Sequence, residues 1–467
     1  MRSRSDAPSP LWGAQTSLAI ENFPIAHRPL DVRVVRALAL IKRHAAQVNA
    51  ALDALPDDVA EAITAAAGDV AAGKHDEQFP IDVYQTGSGT STNTNMNEVV
   101  AALASSRLGE GGAVHPNDHV NASQSSNDTM PAATRIAAAL AMRDELVPAL
   151  EQLVAELRGA AGRFDDVVKA GRTHLMDATP VMLGDECAAW AWMIERAAER
   201  VSDAVDVLGE LPLGGTAVGT GINCPAEFAE RVDAALADDT GLPLRPAPGI
   251  PGRMAHQGGQ GALSTASGAT REVAVALTKV ANDVRLMSSG PATGIAELAL
   301  PSLQAGSSIM PGKVNPVLCE SANQVAARVF GNDATVGYGA SQGILELNTY
   351  LPVMADALLE SITLLANVSR LFASKLVAGI EADVDRCRRN ADRTPALATA
   401  LNLIVGYDAA AAAVKEALAS DRTLRDVVSE QTDVPADELE RALDPVTMAR
   451  PHNTGVSGGG RGGRAGP

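Results

Sequence analysis

The chain has 467 residues, of which 46% are hydrophobic and 20% charged, a balance typical of a soluble globular protein with two or three domains. The net charge of −18 argues against nucleic acid and against anionic membrane surfaces as partners. Aromatic residues make up only 3% of the chain, so we expect a core of Ala, Leu, Val and Ile in closely packed helices.

The cysteines and the N-terminus bear on the cellular compartment. The four cysteines form no C-x-x-C pair, so we expect reduced, mostly buried thiols in a cytoplasmic protein. They are Cys187, Cys224, Cys319 and Cys387. Arg2 and Arg4 precede no apolar run, and we expect no signal peptide. We find no uninterrupted apolar stretch of about 18 residues and expect no membrane span.

Apolar residues at steps of three and four predict long helices in residues 136–157, 273–287 and 358–368. Strand signals are short and weak, so the predicted fold class is all-α, built on a long-helix bundle. The Pro- and Gly-rich residues 243–261 are expected to form a flexible connection. The Gly-rich residues 454–467 are expected to form a disordered tail.

Four polar segments interrupt the helices, at residues 84–97, 115–130, 171–180 and 306–316. Function concentrates where rigid elements present irregular backbone, so these segments are the candidate site. In the first segment, Ser88 and Thr90 precede an apolar helix. Their hydroxyls could cap that helix or, with the helix dipole, hold a carboxylate, and the sequence leaves both open.

Histidines mark the second and third segments. His115 and His119 are four residues apart, which could suit a metal on a helix, but Pro116 argues against a helix through both and no third ligand is obvious. A metal site is therefore not expected. His174 in the third segment suits proton transfer near neutral pH, although a structural histidine is the alternative.

The fourth segment, GSSIMPGKVNP, combines small hydroxyls, Gly, Pro, one cation and one amide. Free backbone N–H groups in such a loop can form a nest for an anion, and Lys313 adds a full positive charge. The segment could hold a carboxylate or stabilise a deprotonated hydroxyl. Glu320, just after it, could orient an imidazole or satisfy the dipole at the start of a helix.

Together, the motifs GSGTSTNTNMNE, HPNDHVNASQSSND, GRTHLMDATP and GSSIMPGKVNP resemble those of the fumarase/aspartase superfamily, most closely the iron-independent, class II fumarases. The resemblance extends from residue 11 to about residue 407 and includes LGGTAVGTG at 213–221. It implies three helical domains at 1–124, 125–378 and 379–453, before the tail. It also implies a homotetramer whose active sites each take loops from three subunits.

The resemblance further implies the reversible hydration of fumarate to malate, without metal or organic cofactor. Ser307 would be the base that takes the C3 proton of malate, and His174, paired with Glu320, would handle the proton of the departing hydroxide through a water. The substrate carboxylates would be held by Ser88, Gly89, Thr90, Ser125, Ser126, Asn127, Thr173, Ser308, Lys313, Val314 and Asn315. A second dicarboxylate site would be lined by His115, Pro116, Asn117 and Asp118.

Two alternatives to a fumarase are an aspartate ammonia-lyase and a catalytically silent homologue with a structural role. Aspartases tend to carry Gln where His174 stands, and Ser-Thr-Asn-Asp in place of the Ser-Ser-Asn-Asp at 125–128. A silent protein would need neither Ser307 nor Lys313. The chain departs from the family pattern at Gly112, where many relatives are basic, at residues 246–260 and at Leu403, which suggests a divergent branch.

Overall fold

A computed structural model describes residues 10–109, 112–420 and 422–450. Within these ranges the chain forms eighteen α-helices and six short strands, so the predicted mainly helical fold class is confirmed. The arginines near the N-terminus and the expected disordered tail at 454–467 lie outside the described residues.

The helices are α1 Ala14–Asn22, α2 Val32–Ala51, α3 Asp57–Ala71, α4 Thr90–Leu108, α5 Ser126–Ala141, α6 Val147–Arg163, α7 Leu183–Leu208, α8 Phe228–Thr240, α9 Gly249–Gly258, α10 Gly261–Met287, α11 Val317–Ala340, α12 Leu351–Leu371, α13 Val384–Arg393, α14 Ala398–Leu401, α15 Tyr407–Ser420, α16 Leu424–Gln431, α17 Ala436–Ala442 and α18 Pro445–Ala449. The strands are β1 Val168–Thr173, β2 Met176–Met182, β3 Glu210–Leu211, β4 Arg245–Pro246, β5 Leu298–Ala299 and β6 Glu381–Ala382. Single 3-10 or π-helical turns lie at Asp76–Gln78, Pro116–Val120, Met142–Leu146, Phe372–Leu376, Val377–Gly379 and Pro395–Leu397.

The three predicted helical stretches are confirmed. Residues 136–157 lie in α5 and α6, residues 273–287 in α10 and residues 358–368 in α12. In α10, the side chains spaced by three and four, including Val273, Leu277 and Val280, are fully buried. The periodic apolar face of the sequence is thus the face that packs into the core.

Two segments are more ordered than the sequence predicted. The predicted flexible connection at 243–261 is wrong, because it contains β4 and α9. Pro251 lies in the first turn of α9, where a missing N–H costs little. The polar segment at 84–97 is a loop only up to Gly89, since α4 begins at Thr90.

The chain divides into two compact units. The first comprises Met1–Gln152, Ile194–Lys279 and Ser321–Arg370, and the second Leu153–Met193, Val280–Glu320 and Leu371–Pro467. In the first unit, α2 packs against α3, α5 and α8, and its residues Val34, Leu38 and Ile41 are fully buried. The parallel strand pair β3–β4 also belongs to this unit. The division into three domains stays a prediction.

The second unit contains an antiparallel hairpin, β1–β2, that packs against α13 and α18. The segment at 171–180 was predicted as a loop, whereas most of it lies in the two strands, with a two-residue turn and one register shift between Ala170 and Arg172. A second antiparallel pair joins β5 to β6. The C-terminal helices α14 to α17 enclose a small apolar core around Leu401, Val427 and Leu443.

Among the residues that the structure describes, one helical segment, Leu351–Gly379, is long and apolar enough to cross a membrane by length and composition. Within its most apolar stretch, 67% of the residues are buried inside the protein. Core helices of globular proteins share this length and composition, so this single segment does not indicate a membrane span.

Candidate active site

The segment at 306–316 folds back on itself as a closed loop before α11. The backbone N–H of Gly306 donates to the carbonyl of Lys313 (3.0 Å), and Nδ2 of Asn315 donates to the carbonyl of Gly306 (2.7 Å). A Cβ at position 306 would lie 2.2 Å from the carbonyl oxygen of Lys313. Only glycine therefore permits this close approach of the two backbone segments.

Ser307 lies at the start of this loop and receives two backbone donors. Its Oγ accepts hydrogen bonds from the N–H groups of Ile309 (3.2 Å) and Met310 (3.0 Å). The side chains of Ser308, Lys313 and Val314 are exposed around it. The two N–H dipoles point at the hydroxyl oxygen, which is the arrangement that stabilises negative charge there.

His174 occupies the turn of the β1–β2 hairpin. Thr173 pairs with Met176, which leaves His174 and Leu175 as the two turn residues. Both have left-handed backbone angles, with φ of 56° and 62°. Two such residues give the turn that matches the twist of a hairpin, although the conformation is costly for side chains other than Gly, Asn or Asp. Thr173 and His174 are exposed at the tip of the hairpin.

A buried ion cluster lies at the base of this hairpin. Arg172 donates through both terminal nitrogens to Glu297, with Nη2–Oε1 of 2.8 Å and Nη1–Oε2 of 3.0 Å. Lys169 Nζ lies 3.4 Å from the same carboxylate and 3.1 Å from Glu186. Burial disfavours the charge of Glu297, but Arg172, Lys169 and Asn390 outweigh that effect and hold its pKa below its ordinary value. None of these residues was assigned a role from the sequence.

Glu320 lies in the first turn of α11, where its N–H donates to the carbonyl of Pro316 (3.1 Å). Its side chain is exposed, as is that of His174. Among the described residues of one chain, no hydrogen bond joins Glu320 to His174. The expected pair is therefore not formed within a single chain of this structure.

In the first unit, Ser88, Gly89 and Thr90 form the entry to α4. Gly89 is the residue before the helix, with φ of 75°, and Oε1 of Gln85 accepts the N–H of Thr92 in the first turn (3.0 Å). Ser88 Oγ and Thr90 Oγ1 instead lie 2.8 Å apart and hydrogen-bond to each other. The capping alternative is therefore wrong for these two hydroxyls, and both stand at the positive end of the helix dipole.

The start of α5 joins this entry. Asn93 on α4 donates its amide to Ser126 Oγ (3.1 Å), which connects the first and second polar segments. Ser125 caps α5 by accepting the N–H of Asn127 (3.3 Å). Asn127 Nδ2 donates to the carbonyl of Ala217 (2.8 Å), in the LGGTAVGTG segment. Three segments far apart in sequence are thus brought together within the first unit.

Asp128, the last residue of the Ser-Ser-Asn-Asp motif, connects the start of α5 to the LGGTAVGTG segment on their buried side. It is fully buried, and its two oxygens accept the N–H groups of Ser125 (2.9 Å) and Thr216 (2.8 Å). Nearby, the fully buried Lys42 donates to Asn121 Oδ1 (2.9 Å). Burial raises the pKa of Asp128 to about 7 and lowers the pKa of Lys42 to about 7. Neither residue was assigned a role from the sequence.

The expected second site forms a single helical turn that begins at Pro116. Pro116 takes the first helical position, where its ring is tolerated, and His115 precedes the turn with an extended backbone. No helix therefore runs through both histidines, as the sequence predicted. His115 Nδ1 accepts the N–H of Asp118 (3.1 Å), and His119 Nδ1 accepts the N–H of His115 (3.0 Å). Across the described part of the chain, no three His, Cys, Asp or Glu side chains are grouped to hold a metal.

Residues of both expected binding sites line one cavity in the first unit. Its volume is about 800 Å³, and its lining includes Asn117 and Asp118 of the second site and Ser125 of the substrate site. Thr216 and Ala217 line it as well. The lining is rich in amide, hydroxyl and backbone groups, which suits a small polar ligand.

Comparison with known proteins agrees with this chemistry. The sequence matches the family described as Lyase over residues 2–331 and the family described as Fumarase C C-terminus over residues 397–450. The class II fumarate hydratase of Mycobacterium tuberculosis is 52% identical over 446 residues, with 94% of this chain and 93% of the relative covered. That of Thermus thermophilus is 46% identical over 448 residues, with 94% and 95% covered.

Solved structures lead to the same family. A class II fumarase from Schistosoma mansoni superposes with a TM-score of 0.92 at 36% identity, covering 96% of this chain and 97% of that one. A fumarate lyase:delta crystallin from Brucella melitensis, solved bound to cobalt, gives a TM-score of 0.91 at 42% identity, covering 95% and 97%. At these identities over nearly the whole length of each protein, the chain belongs to the lyase family of the class II fumarate hydratases.

Proposed function

We propose that this protein adds water reversibly to fumarate to give (S)-malate, using protein side chains alone. The observation that carries the proposal is the pair of backbone N–H groups on Ser307 Oγ. A serine hydroxyl is a poor base unless its anion is stabilised, and these donors supply that stabilisation.

In the malate-to-fumarate direction, Ser307 removes the proton from C3 and a second negative charge develops on the neighbouring carboxylate. Lys313 and Asn315 lie in the same closed loop and are proposed to bind this doubly charged group, with Ser308 and Val314 beside them. The protein as a whole carries a net charge of −18, which repels a dianion. Local cations and N–H groups must therefore create the attractive potential at the site.

In the same direction, His174 is proposed to deliver a proton to the departing hydroxide through a water. Glu320 is its proposed carboxylate partner. Both side chains are exposed on the single chain, and the hairpin tip and the start of α11 leave them accessible. A partner carboxylate raises the basicity of an imidazole. We propose that the pair forms between copies of the chain when they assemble.

Assembly into a homotetramer with shared active sites is the finer part of this proposal. The long helices α7, α10 and α11 leave large apolar side chains exposed: Trp192 at 60%, Val275 at 50% and Tyr338 at 61%. Exposed apolar groups along long helices are typical of surfaces that pack against another subunit. A helix bundle pooled between copies would bury them.

The substrate carboxylates are proposed to be held by Ser88, Gly89 and Thr90 at the start of α4, and by the start of α5. The latter group comprises Ser125, Ser126 and Asn127, and Thr173 on the hairpin completes the set. Hydroxyls and N–H groups at helix N-termini suit anions. The cavity beside Asn117 and Asp118 supports a second dicarboxylate site formed with His115 and Pro116.

A cytoplasmic location belongs to the same proposal. All four cysteines are free thiols, and three of them are buried, as the sequence predicted. Burial raises the pKa of each of these thiols to about 12, so they are unreactive at neutral pH. Free, unreactive thiols are typical of proteins in a reducing compartment.

The test is to add fumarate to the purified protein, with and without ammonium, and to identify the product. Formation of malate without ammonium supports the proposal. Formation of aspartate only with ammonium would show an aspartate ammonia-lyase, and no turnover of either kind would show a catalytically silent homologue. The Ser307→Ala protein, purified in the same way, controls for contaminating host enzyme. A chelator should leave the rate of malate formation unchanged.

A further inference from the structure

We propose that Glu297 is a positioning residue for the hydration reaction, which acts by fixing the β1–β2 hairpin so that its turn presents His174 in one orientation. Glu297 lies 123 positions from His174 in the chain numbering and is fully buried, so it does not reach the substrate itself. The inference rests on the proposed role of His174 as the group that moves the hydroxide proton.

Glu297 is held rigidly from several sides. Its carbonyl accepts the N–H of Asp383 (3.0 Å), and its own N–H donates to the carbonyl of Met287 (2.9 Å). Its Oε1 also accepts the amide of Asn390 on α13 (2.9 Å). Because both its backbone and its side chain are held by hydrogen bonds, the carboxylate can fix the position of the guanidinium that it binds.

What Glu297 binds is the strand that ends in the catalytic turn. Arg172 stands two residues before His174 and forms the two parallel hydrogen bonds already described, a geometry that fixes both the distance and the plane of the guanidinium. The pairing of β1 with β2 shifts register between Ala170 and Arg172. Such an irregularity changes the direction of the residues that follow it, and here those residues lead into the turn.

The turn needs such an anchor because its own conformation is unfavourable. His174 and Leu175 both adopt left-handed backbone angles, and the side chain of Leu175 is 73% exposed. An exposed tip with a strained backbone keeps one geometry only if the structure around it imposes it. The bidentate contact of Arg172 with Glu297, two residues before His174, supplies that constraint.

The charges of the cluster explain why Glu297 is a carboxylate, and its second carboxylate, Glu186, provides a matched control. Lys169 and Arg172 bring two positive charges to a buried place, and Glu297 and Glu186 neutralise them. Glu186 contacts Lys169 but makes no hydrogen bond with Arg172 among the described residues. Removing either carboxylate leaves the cluster one negative charge short, but only the loss of Glu297 releases the hairpin turn.

The test is a double-mutant cycle with His174 in the full-length enzyme. Glu297→Gln should lower kcat by ~10–100-fold, because a misplacement of about 1 Å can cost as much as 10². Glu186→Gln should change kcat by less than about threefold. In the His174→Asn background, Glu297→Gln should have little further effect, since residues that act as a unit are strongly non-additive.

Each outcome of this cycle either supports or overturns the positioning role of Glu297. A loss caused by Glu297→Gln that is equally large with and without His174 would overturn the inference, and so would an unchanged kcat in the wild-type background. Near-normal kcat in His174→Asn alone would instead refute the proposed role of His174, which keeps the two failures distinguishable. If Glu297→Gln does not fold, Arg172→Lys tests the same link, because lysine keeps the charge but not the paired contact. Additivity of Arg172→Lys with His174→Asn would likewise overturn the inference.

Discussion

The backbone N–H of Met310 donates to Oγ of Ser307 across 3.0 Å, so the loop that carries this serine also supplies a hydrogen-bond donor to the oxygen proposed to act as the base. The N–H of Ile309 adds a second donor at 3.2 Å. Both donors are main-chain groups, which only a proline substitution at position 309 or 310 would remove. Such donors stabilise negative charge on this oxygen, which is what the proposed role of Ser307 as the base requires.

We expect Ser307→Ala to abolish turnover while leaving the fold intact. The side chain has little packing to lose, and the substitution deletes the group proposed to take the C3 proton. General bases contribute about 10²–10⁴-fold to a rate, so the residual activity should fall at least that far. The measurement is the initial rate with malate at saturation, together with circular dichroism and the thermal transition.

The matched control for this variant is Ser302→Ala. Ser302 is exposed and lies five positions upstream, outside the closed loop. Its variant should turn over at the wild-type rate. Near-normal turnover by Ser307→Ala would remove this serine from the mechanism.

We expect Gly306→Ala to slow the reaction although it removes no functional group. The new Cβ would lie 2.2 Å from the carbonyl oxygen of Lys313, so the two strands of the loop must separate. Separation displaces the donors to Ser307, and a shift of this kind can lower kcat by ~10-fold or more.

Gly68→Ala is the control for this glycine variant. A Cβ at position 68, inside α3, would meet nothing within 4 Å. Alanine should there raise the free energy of unfolding by about 0.5–1 kcal/mol and leave kcat unchanged. A wild-type kcat in Gly306→Ala would show that the reaction does not depend on the close contact between Gly306 and Lys313.

The sequence was most informative where a structure depends on neighbouring residues. The steps of three and four through Val273 and Leu277 predicted α10, because one periodic face is enough to specify a buried helix. The loop around Ser307 was also predictable, since Gly, Pro and small hydroxyls exclude regular structure locally. By contrast, residues 243–261 were misread, because Pro in a first helical turn and Pro in a loop have the same local signature.

Contacts between distant residues could not be predicted. Asp128 meets the N–H of Thr216 across 88 positions, and Arg172 meets Glu297 across 125. Nothing in the local pattern of Glu297 distinguishes it from a surface glutamate. The conformation of His174 was equally hidden, since a two-residue hairpin turn normally favours Gly, Asn or Asp and the sequence offers none there.

We expect His174→Asn to lower kcat by ~10²–10⁴-fold, the usual contribution of a general acid–base group. Asparagine tolerates the left-handed backbone that this position requires, so the hairpin turn should persist. His27→Asn is the control, because His27 is also exposed and also has a positive φ of 53°. An unchanged kcat in His174→Asn would show that the imidazole has only a structural role.

We expect Asp128→Asn to destabilise the fold by about 1–3 kcal/mol, the cost of leaving a buried backbone N–H without its acceptor. An asparagine can accept the N–H of Ser125 or that of Thr216, but its amide nitrogen then faces the other donor. The measurement is denaturant unfolding at one fixed protein concentration. Asp118→Asn is the control for stability, since that carboxylate is 77% exposed and its loss should leave the unfolding curve in place.

The buried cluster beneath the hairpin predicts a pH dependence with opposite signs for its two carboxylates. Arg172, Lys169 and Asn390 outweigh burial and hold the pKa of Glu297 below its ordinary value of 4.5. The folded protein therefore binds fewer protons on this group than the unfolded chain does. Its stabilising contribution is complete above about pH 4.5 and is lost as the pH falls through the lowered pKa.

Burial dominates at Glu186 and raises its pKa, so its contribution has the reverse sign and falls as the pH rises above 4.5. Thermal unfolding of both glutamine variants across this range, at one protein concentration, measures the two effects. The deficit of Glu297→Gln relative to the wild type should be largest above pH 4.5 and should shrink below it. Glu186→Gln should gain on the wild type as the pH rises above 4.5. Parallel curves for both variants would show that neither carboxylate titrates differently in the folded and unfolded states.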